Sequence, residues 1–443
     1  MNDMPNYTQQ LTESFLSALK NKHIRYCILR NTDEIKRGDA HDIDMCIDAS
    51  YLQEAQQLLH EVANAHHFKQ HMRTGIIKDR HNIKCHHYYH IDNKERKITI
   101  VHIDIFPAFT WSGYELLTNE QLLHNVKNSG LYINASDEIS AVVNLFTGLL
   151  FNGTIKEKYK PHILHAFNNS VSVQSLLLHF LNEKEANMVL HSVKNADWNH
   201  IIQCRSLIIE SIQNKATSYR VLYFWYLLSK AVRMAGTIIA FQGTDGSGKS
   251  TIINELTKTL GNSFSGNTIN HYHWRPGFLK AERRAIPERD GVVCASPQTQ
   301  PLHGKCISYL KLIFHTLDYI LGYWGKIRWD AAKGRLVIFD RYFYDFYIDK
   351  KRYRLNIHNI AIRFLQLFIH KPSVTFILIG DAKLIYERKK ELPLEETQRQ
   401  INELKRCAAY IPNAHFVDVS RCIPEVVFET SKVILETMQK KSH

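Results

Sequence analysis

The spacing of apolar residues divides the chain into stretches of different period. Residues 8–20 carry Leu11, Phe15, Leu16 and Leu19 at helical spacing, and residues 25–29 (RYCIL) are a short apolar run of strand type. In residues 41–47 (HDIDMCI) polar and apolar positions alternate, which predicts a strand with Asp42 and Asp44 on one face. A helical stretch follows over 51–66, then a pair of strands near 82–89 and 97–106, the second carrying Asp104. Residues 113–234 are mostly helical by pattern, as in 138–150 (EISAVVNLFTGLL) and 175–181, and predict a linking bundle.

From residue 236 the chain alternates between strand and helix. Strands are expected near 236–241, 268–274, 336–340, 373–379 and 415–418, and helices from about 250 and near 305–332, 356–370, 384–390, 395–409 and 424–440. Such alternation predicts a parallel sheet covered on both faces, with ligands at the carboxyl ends of its strands. The fold class is therefore α/β in the C-terminal half, joined through a helical region to a smaller α+β part. The expected divisions are 1–112, 113–234 and 235–443.

Composition changes this picture little. A chain of 443 residues with 44% hydrophobic content has ample material for two or three cores. The 56 basic against 43 acidic residues give a net charge of +13, which favours anionic partners such as nucleotides, nucleic acid or an acidic membrane surface. Eight scattered cysteines form no C-x-x-C pair, so neither a disulfide framework nor a thiolate zinc site is indicated, and reduced, cytoplasmic residence is expected. The polar N-terminus has no apolar core of signal-peptide length. Two apolar stretches, 221–228 and 307–329, are too short or too interrupted by charge to span a membrane and are expected as core helices.

Residues 236–260 (GTIIAFQGTDGSGKSTIINELTKTL) carry the sharpest chemical signal. The pattern G-x-x-x-x-G-K-[ST] is filled by Gly243, Gly248, Lys249 and Ser250, with Thr244, Asp245, Gly246 and Ser247 between them and Thr251 after. A glycine-rich turn lets backbone N–H groups close on phosphate oxygens, Lys249 reaches the β- and γ-phosphates, Ser250 ligates Mg²⁺, and the helix that follows turns its positive end to the anion. The loop therefore predicts ATP with Mg²⁺. Charged residues gather after the other strands too. Asp340 ends an apolar strand, where it would hold the Mg²⁺ water shell opposite Ser250, while Arg275 and Arg341 offer forked donors to phosphate. A polar hairpin from 386 to about 406 supplies a basic lid. In the N-terminal part, Asp42, Asp44 and Asp104 are hard oxygen ligands on neighbouring strands, as a divalent metal for phosphoryl or nucleotidyl transfer requires. Residues 66–90 hold seven histidines whose spacing does not converge on a metal.

The segment from about 20 to 112 resembles the nucleotidyltransferase superfamily, in which an acidic-x-acidic strand and a later acidic residue hold the metal; the matching positions are Asp42, Asp44 and Asp104. Its usual Gly-Ser turn is replaced by Leu29-Arg30-Asn31. Residues 237–440 resemble the thymidylate kinase family through FQGTDGSGKST, HWRPG at 273–277, FDRY at 339–342, the lid at 381–406 and VDVSR at 417–421. That resemblance implies a homodimer in which Asp245 binds a sugar hydroxyl of the acceptor, Arg275 and Arg341 its phosphate, and Arg388 stabilises transition-state charge. Three departures stand out. Tyr319 lies where the family has a base-contacting Arg, Asp345 replaces a Ser, and residues 280–304 form a Pro- and charge-rich insertion. Asp345 would repel a monophosphate but could serve as general base for a hydroxyl.

The leading expectation is an ATP- and Mg²⁺-dependent kinase of a nucleoside monophosphate resembling dTMP. A second is a sugar or small-metabolite kinase fused to a nucleotidyltransferase, for example in surface-polysaccharide assembly. A third, a nucleotide-switched nucleic-acid-binding module, rests on the charge and on the basic run 350–354 (KKRYR).

Overall fold

The computed structural model of the chain describes residues 6–40, 42–74, 84–169, 171–233, 236–261, 269–279 and 301–442. His41, His81, Cys294, the first residues of the strands expected at 82 and 268, and nearly all of the 280–304 insertion lie outside them. Two compact units divide the chain: Met1–Ile91 with Thr99–Ser229, and Asp92–Ile98 with Lys230–His443.

The first unit is built on a mixed sheet. Its strands are β1 (Tyr26–Ile28), β2 (Asp42–Ile47), β3 (Lys69–Thr74), β4 (Lys84–Asp92) and β5 (Lys97–Phe106), to which two later strands are added. Between them and the helices come β6 (Phe109–Trp111), β7 (Tyr114–Leu117), β8 (Lys127–Ser129) and β9 (Tyr132–Asn134). The seven-stranded order is β3-β4-β5-β2-β1-β9-β8, and a small sheet joins β6 and β7 to β10 (Thr217–Ser218). Because successive side chains on a strand face opposite ways, β2 sends Ile43, Met45 and Ile47 to one side and Asp42, Asp44 and Cys46 to the other. The first set packs with Val101, Ile103 and Ile105 of β5 under helices Tyr7–Asn21 and Leu52–Ala65. Cys46 and Phe106 belong to a second core, shared with Ile139, Val142, Phe146, Phe167, Leu177 and Phe180 of the following helices. The region expected as a linking bundle therefore begins as strands and continues as the layer that covers the sheet's second face. The boundary expected at 112 falls inside this one unit.

The second unit carries five parallel strands: β11 (Thr237–Gln242), β12 (Ile269–His273), β13 (Leu336–Asp340), β14 (Val374–Ile379) and β15 (Ala414–Asp418), in the order β12-β13-β11-β14-β15. Every residue of β11 and β13 is buried, the signature of strands covered on both faces, while β12 and β15 are partly exposed edges. Ile238, Ala240, Val337 and Phe339 meet Leu312, Tyr319 and Tyr323 in one core. Residues 305–332, expected as one helix, form helix Lys305–Gly322, a wider turn Tyr323–Ile327 and helix Arg328–Ala332.

No described helix is long and apolar enough to cross a membrane. The expectation that 221–228 form a core helix fails, however. Helix Arg220–Arg233 exposes Val221, Leu222, Phe224, Trp225, Leu227 and Leu228. Helix Lys305–Gly322 is core on one side only, since Ile307, Leu310, Leu317 and Leu321 are exposed along the other.

Candidate functional site

Strand β11 ends in the centre of its sheet, and the chain turns there through the glycine-rich loop into helix Lys249–Leu260. Gly246 (φ +83°) and Gly248 (φ +82°) occupy the left-handed region that glycine alone adopts freely. A Cβ on Gly246 would stand 2.5 Å from the Ile385 carbonyl oxygen, so the polar hairpin's first helix, Ala382–Arg388, sits directly over the loop. The helix after the loop buries Lys249, Ile252, Ile253, Leu256 and Leu260 on one stripe, which fixes its N-terminal end against the turn.

A cavity of about 510 Å³ opens at this end of the sheet, lined by Asp245 to Ile252 together with His273, Asp340, Arg341, Arg352, Arg388, Lys389 and Arg421. Of the loop residues expected to bind nucleotide, Asp245, Gly246, Ser247, Gly248, Lys249, Ser250 and Thr251 face it; Gly243 and Thr244 lie behind it as buried support. The Lys249 ammonium donates to the carbonyls of Gly243 (2.9 Å) and Thr244 (2.7 Å) and contacts the Ser247 hydroxyl (3.4 Å). Burial, and then the nearby Arg341 charge, bring Lys249 down to about 7. Asp340 keeps one buried carboxylate oxygen without a hydrogen-bond partner and places the other 3.6 Å from His273 Nδ1. With the exposed Ser250 hydroxyl on the same cavity, this is a set of hard oxygen donors that fits Mg²⁺.

Opposite the loop lies a chain of alternating charges. Arg341 adopts φ +72°, uncommon for a side-chain-bearing residue, and its N–H donates to the Phe241 carbonyl (2.9 Å), which turns the guanidinium back across the strand ends. It binds Asp245 (2.5 Å) and Asp345 (3.0 Å). Arg352 grips the other oxygen of Asp245 and reaches Asp349 (3.4 Å). Burial would raise the Asp245 carboxyl, but Arg341, Arg352 and Lys249 together hold it below the usual carboxylate range. Asp349 in turn accepts from Gln400 (3.2 Å) on helix Leu394–Cys407, the second arm of the hairpin.

Two expected acceptor residues stand elsewhere than the sequence suggested. Asp345 is 0% exposed, and its oxygens are taken by Arg341 and by the Tyr353 hydroxyl (2.6 Å), so it is not on the cavity wall as a base would be. It positions Arg341. Arg275 pairs with buried Asp318 (3.2 Å), which also accepts from the N–H groups of Gly277 (3.1 Å) and Leu279 (2.5 Å); the guanidinium holds the 275–279 turn and does not line the cavity. Tyr319 is buried with its hydroxyl on the Trp274 carbonyl. Arg388 does line the cavity, beside Lys389. Arg352 faces the cavity too, out of the basic run 350–354 that the sequence singled out. Within that run Lys350 is taken by the Ile357 carbonyl (3.1 Å), Tyr353 by Asp345 and Arg354 by the Pro301 carbonyl (2.9 Å), while Lys351 is exposed.

In the first unit the three N-terminal aspartates do come together. Parallel pairing of β2 with β5 sets Asp44 beside Asp104 and Asp42 beside His102. One oxygen from each of Asp42, Asp44 and Asp104 lies within 4.8 Å of the others, the one such group of metal-type ligands among the described residues. Asp44 and Asp104 each keep a buried oxygen without a partner, which fits a divalent cation. Arg30, from the turn after β1, lies on the other oxygen of Asp44 and 4.0 Å from Asp42. Lack of solvent and the Asp44 charge push Asp42, at the rim, up to about 6, against the pull of Arg30, Lys156 and Lys158; burial and the two neighbouring carboxylates hold Asp104 well above the usual range. Asn31, in the left-handed region (φ +63°), accepts from the Tyr159 hydroxyl (2.8 Å) and Lys158 (3.3 Å), tying the Arg30 turn to residues some 130 positions later in the chain, about the span of a domain. The buried histidines nearby do not converge. His87 packs 4.1 Å from His102 ring to ring and is kept neutral by burial.

No family model matches the chain, and no curated protein matches it. Among solved structures it is similar to thymidylate kinase from Ehrlichia chaffeensis, with 21% sequence identity, covering 45% of this chain and 98% of that enzyme at a TM-score of 0.32.

Proposed function

We propose that the second unit is an ATP-dependent phosphotransferase of the thymidylate kinase-like class that phosphorylates a nucleoside monophosphate. The observation that carries this reading is a cavity on which a glycine-rich phosphate loop, a partnerless buried Asp340 oxygen and the cations Lys249, Arg341, Arg352 and Arg388 all converge. Phosphoryl transfer needs mainly positioning and charge neutralisation, and each of these groups supplies one or the other. The loop N–H groups and Lys249 bind the polyphosphate, and Ser250 and Asp340 would hold Mg²⁺, which when bound would neutralise polyphosphate charge. Arg341 and Arg352 answer an anionic acceptor once it competes with Asp245, and Arg388 closes from the hairpin. The acceptor's own phosphate is favoured over a bare hydroxyl because the cavity wall opposite the loop carries guanidinium groups, with Asp345 withdrawn behind them. ADP release with dTMP and a panel of other monophosphates tests the reading; a protein that binds ATP but turns over none of them ends it.

A second reading, a nucleotidyltransferase activity in the first unit, is favoured by the convergent Asp42, Asp44 and Asp104. It predicts Mn²⁺- or Mg²⁺-dependent nucleotide consumption that Asp44→Ala removes while ATP-to-acceptor transfer continues. The nucleic-acid reading keeps the net charge of +13 but loses most of its basic run, since Lys350, Arg352 and Arg354 are engaged within the unit. We also propose that the kinase unit forms a homodimer, supported by the exposed apolar row Ile307, Leu310, Leu317 and Leu321; sedimentation velocity of the full chain against Leu310→Ser with Leu317→Ser tests it.

A further inference from the structure

We propose that helix Arg220–Arg233 is an interfacial anchor that docks this protein on an anionic lipid surface. The helix is neither of the two things an apolar segment usually is. It is 14 residues long, about 21 Å, too short to cross a hydrocarbon core of about 30 Å. It is not core either, because Val221 is 71% exposed, Phe224 57% and Trp225 61%, with Leu222, Leu227 and Leu228 also open. Its inner side is identified by Tyr223, whose Cβ packs against Gly113, while the N–H of neighbouring Tyr219 donates to the Gly113 carbonyl (2.6 Å). At about 100° per residue, Val221, Trp225 and Leu228 fall within about 40° of the side opposite Tyr223, and Leu222 and Phe224 lie on its flanks.

Charge decides what covers that face. Between Glu210 and Asp245 the chain has no acidic residue, and it carries Lys215, Arg220, Lys230 and Arg233. The apolar run is thus bracketed along the chain by cations alone, and Arg220, at the start of the helix, is exposed. An apolar face containing Trp and Phe, flanked only by cations, matches the boundary between acyl chains and anionic headgroups: the aromatic rings sit at the interface and each cation near it adds attraction. The net charge of +13 works in the same direction.

The test is co-sedimentation of the full chain with vesicles of phosphatidylcholine alone and of phosphatidylcholine with phosphatidylglycerol. The expected result is binding to the mixed vesicles only, weakened by added salt, and reduced at least about tenfold by Phe224→Ser with Trp225→Ser and severalfold by Lys230→Gln with Arg233→Gln. Both pairs are outside the nucleotide cavity; unchanged thermal unfolding of the full chain certifies the fold of each variant. Absence of binding to anionic vesicles overturns the proposal, as does binding that the Phe224 and Trp225 substitutions leave intact. Self-association that those two substitutions abolish, without vesicle binding, assigns the face to a second copy and overturns it equally.

Discussion

The two units hold carboxylates against guanidinium groups in ways that look alike and have opposite sign. In the second unit the carboxylates of Asp245 and Asp340 are outnumbered on the cavity side: Lys249, Arg341, Arg352, Arg388 and Lys389 face the same space, and the loop adds backbone N–H groups. The cavity therefore attracts an anion. In the first unit Arg30 stands against three aspartates, two of which keep a buried oxygen with no partner, so the deficit is of positive charge. That cluster attracts a cation. One Arg–Asp contact means little by itself; the groups left unanswered around it decide what the site takes.

The largest effect that would break the contrast is at Lys249. Lys249→Ala removes the loop's own cation, which moves from the loop carbonyls onto a polyphosphate, and turnover is expected to fall on the order of a thousandfold. Asp44→Ala, in the other unit, is expected to leave ATP-to-acceptor transfer within about twofold, because its site draws no anion. Steady-state kinetics of both variants decides; a kinase that depends on Asp44 would mean the two sites are not separate.

Next in size is Asp345. Asp345→Asn leaves Arg341, buried at 3% exposure, with a neutral group in place of one of its two carboxylate partners and costs about 2–3 kcal/mol of the unit's stability, with a lower kcat and nearly unchanged binding of ATP. Tyr353→Phe, which removes the other ligand of the same carboxylate, is expected to act in the same direction by about 1 kcal/mol. If Asp345 were a general base for a hydroxyl acceptor, Asp345→Asn would abolish turnover at unchanged thermal stability and Tyr353→Phe would do little. Thermal unfolding with kinetics on both variants separates the roles. A smaller effect is expected at Gly246. Its positive φ, and the Ile385 carbonyl oxygen 2.5 Å from where a methyl group would stand, make Gly246→Ala cost about 1–2 kcal/mol, seen as weaker nucleotide binding in calorimetry as the hairpin is pushed off the loop.

What the sequence disclosed follows the same division between the sites. The phosphate loop is one continuous stretch whose strand, glycines, lysine and helix are all local, so its pattern could be read directly, as could the alternation that gives the parallel sheet. The aspartate cluster was legible because strand alternation puts Asp42 and Asp44 on one face, although the register that sets Asp44 beside Asp104 is a tertiary fact. Arg352, Asp345 and Arg275 were not legible in role. Each is charged and lies near a strand or helix end, as a ligand-binding residue would, and only the placement of their partners, Asp245 on the cavity wall and Tyr353 and Asp318 buried, shows which guanidinium faces the cavity and which holds a turn. Residues 221–228 misled for a related reason. Hydropathy measures how apolar a helix is, and says nothing of whether the rest of the chain supplies a surface to cover it.

The finest test of the contrast is that the two sites must respond to pH in opposite directions. Lys249 titrates near 7 when no ligand is present, so as pH rises above 7 the loop loses a positive charge that an incoming polyphosphate has to restore. Nucleotide binding at pH 8 is then weaker than at pH 6.8 by a few-fold and is accompanied by proton uptake, which calorimetry reads as a dependence of the binding enthalpy on the buffer's ionisation enthalpy. At the aspartate cluster Asp42 is raised to about 6 and burial holds Asp104 well above the usual carboxylate range, so a cation entering there displaces protons. Mn²⁺ binding to the Lys249→Ala protein, in which the phosphate loop is disabled, is therefore expected to strengthen a few-fold between pH 5.5 and 7 with proton release, within the range where Asp42 titrates. The sign is the discriminating quantity. Proton uptake on Mn²⁺ binding, or an affinity that falls as pH rises, would mean that Arg30 and the lysines beyond it, rather than the carboxylates, set the charge of the N-terminal site.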